Sequence, residues 1–132
     1  MKNTLLWDER YSIDEKQIDS QHRKLFELLN EVCHLAQEDQ ATPLFSTIKM
    51  ISELSIYAIF HFREEENLMK EIQYPDLEAH QAQHNEYIQK INQLKENYQK
   101  QDPLINYEIL DFLNSWLTKH ILIEDMKYKN FL

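Results

Sequence analysis

Apolar residues recur along this chain at steps of three and four, the period of a helix with one buried face. Leu25, Phe26, Leu29, Val32, Cys33 and Ala36 form one such stripe, and Ile48, Ile51, Leu54 and Ala58 a second. Ile88, Ile91 and Leu94 make a third; Ile109, Phe112, Leu113, Trp116 and Leu117 make a fourth. The breaks between stripes coincide with helix-start signals. Thr42-Pro43 and Asp102-Pro103 each set a capping side chain before a proline whose missing N–H costs nothing in the first turn. Tyr74-Pro75-Asp76 marks another start, and Asp19 and Ser20 can cap the first helix. The pattern predicts helices over 20–38, 43–72, 76–100 and 103–123, after an arm spanning 1–18. Four one-sided stripes joined by short connections are satisfied most simply by an all-α, antiparallel up-down four-helix bundle, one domain over 1–132. Trp7, Tyr11, Ile13 and Ile18 give the arm apolar surface to pack across that bundle, and Tyr128 and Phe131 do the same for the tail.

Composition narrows the function. With 132 residues the chain can bury roughly two-thirds of its unfolded surface in one core. A net charge of −9 argues against nucleic acid and anionic membrane surfaces as partners, since both reward clustered Lys and Arg. The absence of glycine excludes phosphate-cradling glycine loops. A single cysteine, Cys33, precludes an internal disulfide and fits a reduced, cytoplasmic compartment. Neither a signal-peptide run nor a membrane-length apolar stretch is present. No long apolar stripe is left unassigned, so the expectation is a monomer.

The histidines carry the chemistry. His22 precedes Leu25 and Phe26 by one turn, His61 continues Leu54 and Ala58, His80 and His84 lead towards Ile88, and His120 follows Trp116. Five of the six histidines thus point to the seam where the helices meet, and burying that many imidazoles without partners is costly. Metal ligation resolves this, because it uses one nitrogen of each ring and leaves the other to donate. His80 and His84 stand one turn apart, as do His61 and Glu65, so each pair can reach one ion. Glu64 and Glu66 flank Glu65 on solvent-facing or supporting positions. Beyond His120 the α-helical period favours Glu124, about 40° round the axis, over Asp125, about 140° round. Asp125 can serve only if the helix widens or ends just after His120.

Asp19-Ser20-Gln21-His22, His61-Phe62 with Glu65-Glu66 and Met69, Tyr74-Pro75, the His80/His84 pair, and Trp116-Leu117-Thr118-Lys119-His120-Ile121 with Asp125 and Tyr128 together resemble the hemerythrin family, in its single-domain bacterial branch. The likeness runs from Trp7 to Tyr128. One departure lies in the arm, where relatives often carry glycine and this chain has Asp14, a residue that tolerates left-handed backbone. The resemblance implies a non-haem di-iron centre of Fe2+/Fe3+ ions with a bridging oxo or hydroxo group. His80, His84 and His120 would hold one iron, His22 and His61 the other, and Glu65 and Asp125 would bridge them. It therefore favours Asp125 over Glu124. With five imidazoles, two bridging carboxylates and a bridging oxygen, about one of roughly twelve coordination positions stays open. That position falls on the iron held by His22 and His61.

The implied function is reversible binding of dioxygen, for carriage, storage or delivery, in a protein that is not an enzyme. The same vacancy accepts nitric oxide, so a sensor or scavenger, or a weak peroxidase or oxidase, is the alternative. Trp116, Leu117, Ile121 and Phe62 are placed to line a dry ligand pocket, with Met69 a lesser candidate. Oxygen-activating four-helix di-iron proteins use four Glu and two Glu-x-x-His pairs, which this chain lacks. Cys33 lies on the His22 face but about 16 Å along the helix, which makes it a core residue. His34 is expected at the surface.

Overall fold

The computed structural model describes residues 4–37, 44–100 and 103–132. Helix α1 spans Lys16–Gln37, α2 Leu44–Glu71, α3 Leu77–Lys100 and α4 Pro103–Lys119. A π-helical segment, His120–Asp125, continues α4, and a short α5, Met126–Lys129, ends the chain. No strand occurs among the described residues. Helix α1 packs on α2, α2 on α3 and α3 on α4, with α4 closing lightly against α1. This is an up-down bundle. The capping residues Thr42 and Asp102, with Pro43, lie outside the described residues.

Each apolar stripe faces the core. Leu25, Leu29 and Val32 of α1, Ile51, Leu54 and Ala58 of α2, Ile91 and Leu94 of α3, and Leu113 and Leu117 of α4 are all essentially inaccessible. Tyr87 and Leu110, outside the expected stripes, are fully buried as well. A smaller core at one end gathers Ile13, Ile18, Met69, Tyr74 and Tyr128.

The first helix starts at Lys16, four residues before the expected position, because Asp19 is used differently. Its carboxylate accepts the Ser12 hydroxyl at 2.6 Å and the Ile13 N–H at 2.9 Å, tying the arm to α1 rather than capping the helix. Glu15 takes over at the helix start by accepting from the Gln17 N–H. Asp14, with φ 60°, makes the left-handed turn between arm and helix. Further out, Trp7, Tyr11 and Phe26 form an aromatic cluster beneath the Arg23 guanidinium, and Asn30 pairs with both the N–H and C=O of Leu5.

Helix α2 ends in a Schellman motif. The Tyr74 N–H reaches the Met69 carbonyl, the Gln73 N–H reaches that of Lys70, and Gln73 itself sits at φ 57°. The turn delivers Pro75 and starts α3, so that His80 comes back alongside Glu65.

Candidate metal centre

The five predicted histidines converge. His22 comes from α1, His61 and Glu65 from α2, His80 and His84 from α3, and His120 and Asp125 from the π-helical segment; none is more than 5% exposed. Two groups form. The rings of His80, His84 and His120 make a triangle with centroids 4.6–5.1 Å apart, and His22 and His61 pair at 4.6 Å.

The carboxylates stand between the groups. Asp125 Oδ1 lies 2.9 Å from His80 Nε2 and 3.2 Å from His120 Nε2, while its Oδ2 lies 3.2 Å from His22 Nε2. Glu65 Oε1 faces His84 Nε2 at 3.1 Å and His61 Nε2 at 3.6 Å, and Oε2 faces His22 Nε2 at 3.3 Å. Asp125 reaches the site because the backbone widens: i→i+5 bonding across His120–Asp125 brings position i+5 onto the face that an α-helix gives to i+4. Glu124, the residue that regular periodicity favours, is turned aside to pair with Lys127 at 3.1 Å.

Outer partners fix the rings. His61 Nδ1 bonds Gln21 Oε1 at 2.7 Å and His84 Nδ1 bonds Glu66 Oε2 at 2.8 Å, so both rings turn Nε2 inward. Gln81 steadies Glu66 in turn, and the Tyr128 hydroxyl donates to Glu65 Oε2 at 2.8 Å. Gln21 is the supporting residue that the sequence left unassigned; no spacing rule pairs it with a ring on another helix. Phe62 stacks on His84 and Trp116 on His120, while Leu117 and Ile121 are buried in the same core. Met69 lies instead in the smaller core with Ile13 and Tyr128. Cys33 is buried and accepts a hydrogen bond from Asn114, and burial pushes its thiol pKa up. His34 is exposed.

Buried donors left without partners favour a bound cation, although the charges already balance without one. Burial opposes charge on His22, but Asp125 and Glu65 outweigh it and raise its pKa to about 9. Burial likewise opposes charge on His84, which Glu65 and Glu66 raise to about 9. His61 is dominated by burial and falls to about 3, so it is neutral with a free lone pair. Burial pushes Glu65 and Asp125 upwards, yet the surrounding rings hold both below the usual carboxylate range. Without metal, two imidazolium rings therefore offset two carboxylates. Even so, His84 Nε2, both ring nitrogens of His22, Glu65 Oε1 and Asp125 Oδ2 are buried without a hydrogen-bond partner. Nitrogen and oxygen donors that converge, are buried and lack partners are what one or two divalent ions would satisfy. Ligand atoms of Glu65, His80, His84, His120 and Asp125 lie within 4.8 Å of one another, as do those of His22, His61 and Glu65.

The chain is similar to known proteins along nearly its whole length. The hemerythrin HHE cation binding domain matches residues 14–132. A bacteriohemerythrin of Clostridium acetobutylicum is 36% identical over 126 residues, covering 93% of this chain and 97% of that protein. A second bacteriohemerythrin, from Stenotrophomonas maltophilia, is 32% identical over 124 residues, covering 94% of this chain and 78% of that protein. The crystal structure of a wild-type hemerythrin superposes with a TM-score of 0.85 at 24% identity, covering 98% of both chains, which speaks for the fold.

Proposed function

The chain belongs to the hemerythrin family, and from that premise we propose that its buried cluster holds two non-haem iron ions and binds dioxygen reversibly. His80, His84 and His120 would hold one ion, His22 and His61 the other, with Glu65, Asp125 and an oxo or hydroxo group between them. One observation carries the reading: each of two buried carboxylates faces both a three-histidine and a two-histidine group. An iron pair held there would supply, reversibly, the two electrons that dioxygen takes up.

The chain's own side chains make that exchange reversible. Gln21 and Glu66 accept the Nδ1 protons of His61 and His84 and keep their Nε2 lone pairs aimed inward. Tyr128 stays protonated, since burial and the nearby Glu65 raise its pKa, and its hydroxyl fixes the Glu65 carboxylate. Phe62, Leu117 and Ile121 are buried, and with Trp116 they keep water, and the protons it would bring, away from the cluster. Two carboxylates against five imidazoles give few anionic donors, which favours a binding protein over an oxidase. Among the described residues no helix is long and apolar enough to cross a membrane; with its thiol reduced, the protein would work in the cytoplasm.

Gas-uptake measurements test this. Reduced, iron-loaded protein should take up one dioxygen per chain and return it on degassing. Continuous consumption, with product accumulating, would make the protein an oxidase instead.

A further inference from the structure

Helix α2 carries a second stripe, turned outward. Glu53, Ile56, Phe60 and Arg63 follow one another at steps of three and four, within an arc of about 80° of the helix. All four are exposed, Ile56 by 70% and Phe60 by 48%. Beside the stripe, between α2 and α1, lies a surface groove of about 450 Å³ lined by Lys24, Leu28, Glu53, Ile56, Tyr57 and Phe60. Its wall is largely apolar, and the Tyr57 and Phe60 rings stand 5.7 Å apart in it. Among the described residues, neither Glu53 nor Arg63 has an ion-pair partner within the chain.

We infer that a second copy of this chain covers this face, α2 antiparallel to α2, about a two-fold axis passing between Ile56 and Phe60. The order of charges along the stripe selects that occupant. Such an axis exchanges position 56 with 60 and position 53 with 63. Ile56 then meets Phe60 of the second copy, Glu53 meets its Arg63, and each contact occurs twice. A stripe that reads acid, apolar, apolar, base is complementary to its own reverse; like charges at both ends would repel. Phe60 of the second copy lies beside Ile56, over the groove. Covering apolar side chains this exposed drives the association, and the two ion pairs fix its register. The pairing does not depend on whether the centre carries iron. Two apolar residues make too short a stripe for the sequence pattern to register, so the monomer expected from that pattern holds only in dilute solution.

Sedimentation equilibrium decides it, in about 0.15 M salt to screen the chain's net charge of −9. The interface is small, so parent protein should be dimeric at about 1 mM and monomeric at about 1 µM. Ile56→Glu should stay monomeric throughout. Glu53→Arg and Arg63→Glu should each weaken association about tenfold or more, because like charges then face each other across the axis. Combining the two reversals should restore it. These substitutions change exposed side chains, so helical content and unfolding temperature should remain those of the parent. Parent protein that stays monomeric at about 1 mM overturns the inference and leaves the face to a different protein. An assembly larger than a dimer, a dimer indifferent to both charge reversals, or a double variant that fails to pair overturns it as well.

Discussion

Tyr128 shows how much of the centre depends on single hydrogen bonds. Its ring is fully buried and its hydroxyl donates to Glu65 Oε2 at 2.8 Å, a bond to a charged acceptor that water cannot replace. Losing a hydrogen bond to a charged group costs about 1.5–3 kcal/mol. Tyr128→Phe should therefore lower thermal stability by that order. It should also speed iron loss to a chelator on the order of 10–100-fold, as other losses of support around metal ligands do. Parent-like unfolding and chelation would mean that Glu65 is held by its histidine neighbours alone. From the sequence, Tyr128 could either hydrogen-bond near the site or merely pack, and nothing named its partner. Its partner lies 63 residues away, and such a contact leaves no local spacing to read. Gln21 escaped for the same reason, since its bond to His61 spans 40 residues.

At the scale of elements, periodicity located the four helices and the stripe each buries, because steps of three and four translate directly into one face. It failed at two places where tertiary contacts override local preference. Asp19 has the chemistry of a helix cap but binds Ser12 and Ile13 of the arm, so α1 begins a turn earlier at Lys16. Asp125 lies off the α-helical face of His120 and enters the site only through the π-helical widening over His120–Asp125. Periodicity could state that requirement but not choose it; the resemblance of the surrounding motif to the hemerythrin family is what selected Asp125. A second strained point is Gln73, whose φ of 57° places a side-chain-bearing residue in the left-handed region at the end of α2. Left-handed backbone costs a residue with a Cβ about 1–2 kcal/mol, and glycine escapes that cost but loses more entropy on folding. Gln73→Gly should thus stabilise the protein by up to about 1 kcal/mol, read from denaturant unfolding. A loss of stability would show that the Gln73 side chain contributes more than its backbone costs.

For the whole molecule, the buried charges tie stability to pH. Between about 6.5 and 9 the folded metal-free protein keeps protons on His22 and His84 that the unfolded chain has released, so stability falls as pH rises through that window. Below about 6.5 the unfolded chain protonates its counterpart of His61, whereas the folded chain, with His61 at about 3, does not. Stability therefore falls in that direction too, and the depressed Glu65 and Asp125 add to the loss in stronger acid. Metal-free protein should unfold at its highest temperature near pH 6.5, and metal affinity should rise with pH up to about 9 as His22 and His84 give up their protons. A flat pH profile for metal-free protein would contradict the charge assignment.

The most direct test of the centre is iron content per chain in parent, Glu65→Ala and Asp125→Ala proteins, loaded anaerobically with ferrous iron and freed of excess. The di-iron assignment predicts two irons per parent chain, with occupancy lost in both variants. A single iron in the parent, or two irons retained in both variants, would contradict it.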